Sequence, residues 1–196
     1  MGIFREYDIR GVVEKDLTPE VVDRIGQAYG TIARERGVGT ISVGRDGRLT
    51  SPRLHEELIS GLMKSGIDVI DLGLCATPLV YFSLHHLPVD GGIMVTGSNN
   101  ASEYNGFKLC IGKEALHGSD IQYLQEVFEG GAFASGEGKR EVHSIISDYR
   151  NFLRDKFAHV PKNHGLHVVI DCGNGAASLV AKEVLEGLGC RVTGLY

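Results

Sequence analysis

Three times in the first eighty residues a Ser or Thr stands directly before a Pro: Thr18-Pro19, Ser51-Pro52 and Thr77-Pro78. Proline fixes φ near its helical value, and the N–H it lacks is one the first helical turn leaves unbonded anyway. The dipeptide therefore marks a helix start. After Thr18, the residues Val21, Val22, Ile25, Ala28, Tyr29 and Ile32 recur at helical spacing, and Gly37 can close the helix. After Ser51, Leu54, Leu58, Ile59 and Leu62 form an apolar face with Gly66 behind it. Short β-rich runs separate these segments: TISVG at 40–44, IDVIDLG at 67–73 and GGIMVT at 91–96. Such alternation restricts the chain to an α/β fold with a mixed, mostly parallel sheet flanked by helices.

The next strand, FKLCI at 107–111, follows GGIMVT after about ten residues, too few for a crossover helix, which predicts an antiparallel return. Ser119 and Gln122 have the spacing of a capping box for a helix through Phe128. Residues 130–142, GGAFASGEGKREV, are Gly-rich and polar. The expected organisation is one domain over 1–130, a linker over 131–143, and a segment over 144–196. That last segment is read as a connecting helix from about Ser144 to Phe157 and the truncated start of a second, similar α/β domain. One β-α-β unit cannot cover both faces of its own sheet, so the pattern is expected to continue in a longer chain.

Charge and patterning exclude several classes of function. The formal net charge is -5 and no basic block is present, which argues against nucleic acid as a partner. No apolar run reaches the length of a membrane span, and the start, MGIFREYDIRG, lacks a signal-peptide core. The cysteines, Cys75, Cys110, Cys172 and Cys190, form no C-x-x-C pair, and each lies in or beside an apolar run. They read as reduced, buried thiols, and the cytoplasm is the expected location.

Chemistry concentrates in MVTGSNNASEYNGFKLC, residues 94–110. Ser98 falls at the carboxyl end of a strand, where open α/β sheets carry ligands. G-x-S-x-G fails at Thr96 and Asn100, and S-x-x-K fails at Ala101. Serine as a carrier of a phosphoryl group remains, a role that needs cationic donors and a proton-handling side chain such as Lys108. The competing reading is a solvated polar loop. In GRDGRLTSP at 44–52, Arg45 and Arg48 lie where free helix N–H groups could bind an anion, or they are solvated turn arginines. In FREYDIRG at 4–11, Tyr7 and Arg10 could approach a phosphosugar, or the segment is a strand with internal ion pairs. DCGNGAAS at 171–178 lacks both a G-K-S/T and a complete G-x-G-x-x-G, and reads as a tight turn. His85 and His86 are expected to diverge on a helix, and His159, His164 and His167 to be surface groups near a domain junction. No D-x-D-x-D cluster marks an all-protein Mg2+ site.

Taken together, FREYDIRG, VGRDGRLTSP, TGSNNASEYNGFK and VVIDCGNGAA, in this order, resemble the motifs of the α-D-phosphohexomutases, bacterial phosphomannomutase/phosphoglucomutase group. The resemblance covers the first of that family's four domains and the start of its second. It implies an N-terminal part of an enzyme that interconverts hexose 1-phosphate and 6-phosphate through a phosphoserine and a bisphosphate sugar. Ser98 would be the phosphoserine and Lys108 the proton-handling residue beside it. Tyr7, Arg10 and Asn99 would line the substrate site, with Arg45 and Arg48 facing an anion or supporting the turn. Mg2+ would be held partly by the phosphate on Ser98, its other ligands belonging to a DGDxDR loop outside this chain. Glucose 1,6-bisphosphate would be the activator, a hexose phosphate the substrate, and the remaining domains of a longer chain the partners. Two departures stand out: the family's His after the serine is Asn99, and its Pro is Ala101. Asparagine donates hydrogen bonds but is no acid at neutral pH. The alternative is therefore a non-catalytic relative that binds a sugar phosphate or a partner.

Overall fold

The computed structural model describes residues 2–160, 162 and 165–196. In chain order its elements are β1 (Ile9–Val12), α1 (Pro19–Glu35), β2 (Thr40–Arg45), α2 (Ser51–Lys64), β3 (Asp68–Leu74), α3 (Thr77–His86), β4 (Gly91–Val95), β5 (Tyr104–Ile111), β6 (Glu114–Ala115) and α4 (Ser119–Gly130). Then follow β7 (Arg140–Val142), α5 (Ile145–Lys156), β8 (His167–Ile170), α6 (Ala181–Gly187) and β9 (Arg191–Gly194). The main sheet has the order β1-β5-β4-β2-β3-β7, with β6 paired to β5. β4, β2, β3 and β7 are parallel neighbours, whereas β5 is antiparallel to both β4 and β1. The short connection over 96–103 thus turns back on itself, as its length predicts.

Strand alternation sorts side chains to two faces. On one face Ile41, Val43, Val69, Ile93, Val95 and Phe107 meet Val22, Ile25 and Tyr29 of α1, Leu54 and Leu58 of α2, and Leu124 of α4. On the other, Leu72 and Met94 meet Leu79, Val80 and Phe82 of α3 and Ile145 of α5. Where α1 crosses α2 the backbones touch: a Cβ on Gly61 would lie 2.0 Å from the Asp23 carbonyl oxygen. Only glycine fits there.

Thr18 caps α1 by accepting from the Val21 amide at 3.4 Å. Ser51 and Thr77 are the first helical residues rather than the caps, which are Thr50 and Ala76. The Ser119–Gln122 capping box does not form. The entry to α4 is set instead by Gly118, whose φ of 52° suits glycine and whose N–H donates to the Glu6 carbonyl at 2.8 Å.

The Gly-rich stretch expected as a linker is not a free tether. Gly136 and Gly138 donate to the Lys64 and Met63 carbonyls at 2.9 and 2.8 Å, and residues 140–142 add β7 to the edge of β3. Arg140 fastens this edge. Its guanidinium meets Glu56 at 2.6 and 2.8 Å and Asp71 at 2.5 and 3.0 Å. Buried His55 places Nε2 3.0 Å from the other Asp71 oxygen. Burial alone would raise the Asp71 carboxyl. The close His55 ring and the hydrogen bonds from Arg140 and the Gly73 N–H outweigh it and hold the group well below the usual carboxylate range.

Past α5, β8 and β9 pair in parallel around a 3-10 turn (Ala176–Leu179) and α6. Leu166, Val169, Leu195 and Tyr196 of this unit are exposed. Cys75 and Cys110 are buried as expected, but Cys172 and Cys190 are only half-buried, because this second layer is thin. His86 stacks on Phe82 with ring centroids 3.8 Å apart, His159 and His167 are exposed, and His164 lies outside the described residues. No helix among the described residues is long and apolar enough to cross a membrane.

Candidate active site

The parallel pairing of β2 with β4 sets Arg45 opposite Val95, so the two strands end side by side. The residues that follow them, Asp46–Arg48 and Thr96–Ser98, meet in one crevice at the carboxyl end of the sheet. Thr96 is buried and its amide donates to the Gly106 carbonyl at 2.9 Å. Its hydroxyl donates to Asp46 Oδ2 at 2.8 Å and accepts the Ser98 N–H at 2.9 Å. Asp46 Oδ1 in turn accepts from the Arg48 amide at 3.0 Å and the Ser51 hydroxyl at 2.5 Å. Buried Asn105 donates to Ser51 Oγ and Thr50 Oγ1, both at 2.9 Å. The result is an exposed Ser98 on a floor of satisfied polar groups, held at φ 53°, the left-handed region that residues with a side chain rarely occupy.

Two arginines grip the loop. Arg10, on β1, donates to the Gly97 carbonyl at 3.3 Å and Asn100 Oδ1 at 2.5 Å, and pairs with Asp8 at 2.5 Å. Arg48 donates to the carbonyls of Ser98, Asn100, Ala101 and Tyr104 at 3.0, 2.6, 2.8 and 3.2 Å. Lys108 is reached through Asp8: Nζ lies 3.4 Å from the same Oδ2 that meets Arg10. Register explains why Arg10 and Lys108 share a face. Arg10 lies opposite Gly106 and Lys108 opposite Met94, while Ile9, Phe107 and Val95 turn to the core.

Of the residues singled out from sequence, Arg10 and Arg48 both contact the loop that carries Ser98, Arg48 through the Ser98 carbonyl itself. Lys108 joins them through Asp8, so the cations touching the Ser98 loop are the two arginines rather than the lysine. Asn99 is exposed beside Ser98. Tyr7 is 70% exposed and its ring lies 6.5 Å from that of His117. Among the described residues the Arg45 guanidinium hydrogen-bonds only the Asp46 carbonyl, at 3.5 Å. Arg48 faces main-chain carbonyls and not an open anion site.

Four contributors escaped the sequence reading: Asp8, Asp46, Thr96 and Asn100. The ion-pair alternative for FREYDIRG contained the signal for Asp8, since Arg10 does pair within that segment. Asp46 and Thr96 were hidden by looking like a turn residue and a strand end.

Across a cleft of about 510 Å³ the Ser98 side faces Gly173–Ala176 of the tail unit. Gly173 and Asn174 have φ of 54° and 56°, and the Asp171 carboxylate accepts the Gly173 N–H at 2.8 Å, so DCGNGAAS is the tight turn expected. Burial pushes the Cys75 thiol, also lining this cleft, up to about 12, which keeps it neutral and unreactive. Among the described residues no three His, Cys, Asp or Glu side chains group to hold a metal ion. The residues present do not fit Mg2+ on their own.

Comparison with known proteins identifies the family of this chain. The family model described as "Phosphoglucomutase/phosphomannomutase, alpha/beta/alpha domain I" matches residues 1–133. A curated phosphomannomutase/phosphoglucomutase of Pseudomonas aeruginosa is 43% identical over 195 residues, covering 100% of this chain and 42% of its own. A phosphoglucomutase of Neisseria meningitidis serogroup B is 39% identical over 196 residues, with 99% and 42% covered. A crystal structure of a phosphoglucomutase/phosphomannomutase family protein from Burkholderia thailandensis superposes with a TM-score of 0.92 at 36% identity, over 98% of this chain and 43% of that one. The chain thus spans about 42% of the length of the curated relatives it matches.

Proposed function

The chain belongs to the phosphoglucomutase/phosphomannomutase family, and from that premise we propose that it is the phosphoserine-bearing N-terminal part of a phosphohexomutase. The substrate is a hexose phosphate, and the complete enzyme, which adds the rest of the relatives' length, interconverts the 1-phosphate and 6-phosphate in the cytoplasm. One observation carries this reading: an exposed serine in left-handed conformation at the carboxyl end of a central strand, with two arginines gripping its loop and a lysine one carboxylate away.

In the forward step the phosphorus–Oγ bond of phosphorylated Ser98 breaks and a bond forms from phosphorus to the free sugar hydroxyl. That hydroxyl gives up its proton, and Ser98 Oγ takes one. The bisphosphate sugar then turns end for end, and its other phosphate returns to Ser98 by the reverse step. Lys108 is the proton-handling group, and Asp8 keeps it beside Arg10. The protein's part is positioning and neutralisation of a moving charge, the main levers in phosphoryl transfer. Mg2+, held partly by the phosphate on Ser98 and otherwise by residues outside this chain, would add charge neutralisation, and glucose 1,6-bisphosphate would prime Ser98.

The test is incubation of the complete enzyme with glucose 1,6-bisphosphate and mapping of the phosphopeptide by mass spectrometry. Phosphate on Ser98, absent from Ser98→Ala, is the expected outcome. Phosphate on another residue ends this reading. Tight sugar-phosphate binding with no phosphate on any residue favours the non-catalytic alternative that Asn99 and Ala101 raise.

A further inference from the structure

A guanidinium carries five N–H donors in a rigid plane, and in Arg48 the four on Nη1 and Nη2 are all taken by main-chain carbonyls. Nη1 donates to the Ala101 and Tyr104 carbonyls, Nη2 to those of Ser98 and Asn100, and Nε lies 3.5 Å from Asp46 Oδ2. All four Nη protons are thus taken by main-chain oxygens, and neither Nη atom has a proton left for a substrate phosphate. Space is equally committed: a Cβ on Gly97 would lie 2.5 Å from Arg48 Cζ, so the guanidinium fills the volume beneath that residue. We propose that Arg48 is a positioning residue for transfer to and from Ser98, holding the loop from below by four main-chain carbonyls. The proposal rests on the reading of Ser98 as the phosphoryl carrier.

Peptide planarity gives this grip a consequence on the upper side of the loop. In each trans peptide the N–H points opposite to the carbonyl. Turning the Ser98, Asn100 and Ala101 carbonyls down onto Arg48 turns the N–H groups of Asn99, Ala101 and Ser102 away from it. Among the described residues none of these three N–H groups has a hydrogen-bond partner. Arg48 therefore presents the loop with its acceptors consumed and its donors outward, the polarity an incoming phosphoryl group requires. Lysine could not substitute, because one ammonium on a flexible stem cannot span four diverging carbonyls.

The experiment compares Arg48→Lys and Arg48→Ala by two readouts. In the complete enzyme, both variants should lose about a hundredfold in kcat, with KM for the hexose phosphate changed by less than about threefold, the signature of a group acting on the transition state alone. In the 196-residue chain without ligand, the amides of Asn100 and Tyr104, bonded to the Gly97 and Ala101 carbonyls, should exchange at least about tenfold faster in both variants, while those of β4 do not change. Millimolar guanidinium should return part of the lost kcat to Arg48→Ala and none to Arg48→Lys. A tenfold or larger rise in KM at unchanged kcat would make Arg48 a phosphate ligand and overturn the proposal, as would wild-type loop exchange in Arg48→Lys. Should wild-type Ser98 accept no phosphoryl group, the mutase reading fails, and loop exchange still decides whether the clamp exists.

Discussion

Thr96 and Asp46 stand 50 positions apart and share a 2.8 Å hydrogen bond from hydroxyl to carboxylate. Because the same hydroxyl accepts the Ser98 amide, this bond joins the end of β2 to the backbone of the proposed nucleophile. Thr96→Val keeps the shape but strands both partners. It should cost about 1–2 kcal/mol of stability through the unpaired groups and lower phosphate incorporation at Ser98 on the order of tenfold to a hundredfold through misplacement. Thr96→Ser should retain both properties. Equal incorporation in the Val and Ser variants, read by mass spectrometry, would show that the hydroxyl does not position Ser98.

Ser98 keeps its left-handed φ at a cost of about 1–2 kcal/mol. Ser98→Gly should therefore raise the stability of the chain by about 0.5–1 kcal/mol, part of the relief being offset by the added freedom of the unfolded state. It should also abolish phosphoryl acceptance. Thermal denaturation against Ser98→Ala is the check: a glycine variant no more stable than the alanine one would mean that the strain is not there.

Lys108→Ala in the complete enzyme should reduce turnover by about a hundredfold or more, the usual loss on removing acid–base help. Asp8→Asn should also slow it, because that carboxylate holds Arg10 and Lys108 together. Asn99→His should preserve or raise the rate. A full-rate Lys108→Ala enzyme would remove the lysine from the mechanism.

Asp71 gives the fold a defined acid response. Its folded carboxyl titrates below the unfolded value near 3.9, so its contribution is fully present above that pH and fades as pH falls towards the folded value. At pH 7, Asp71→Asn should cost about 2–3 kcal/mol, since His55 and Arg140 lose the charge they face. The gap from wild type should then narrow by roughly 1 kcal/mol per pH unit below about 4. Urea melts at pH 7 and pH 3 decide it, and an unchanged gap would rule the network out as the source.

The tail should open before the core. Backbone hydrogen bonds of β8 and β9 lie under exposed side chains, whereas Gly91–Val95 is buried throughout. Amides of 168–170 should exchange at least tenfold faster than those of 92–95 by hydrogen exchange. Equal protection would show that the two units open together.

The fold was legible because its signals were local. Proline after Ser or Thr places α1, α2 and α3 within a residue, and the length of the 97–106 segment dictates the antiparallel return of β5. Two misreadings came from local signals that tertiary contacts override. The Ser119–Gln122 spacing yields to Gly118, which the N-terminal segment ties down, and the Gly-rich 131–142 stretch is captured as a sheet edge by Asp71 and Glu56. Within the site, Ser98 and Arg10 stood out as residue types in suggestive places. The role of Arg48 did not, because it depends on four carbonyl directions, and no residue name encodes where its main-chain oxygen points.

Ser98 hangs from the end of β4, and Lys108 sits within β5, the neighbour that turns back along it. The strand anchors of the two residues are thus fixed by the rungs of one interior ladder, and only the loop from Thr96 to Ser98, gripped by Arg10 and Arg48, lies between the ladder and the serine. Heat or denaturant should not separate the two strand anchors while the middle of the sheet survives. Any loss of phosphoryl acceptance that precedes unfolding should therefore arise in the Thr96–Ser98 loop and its arginine clamp, and not in the strands beneath.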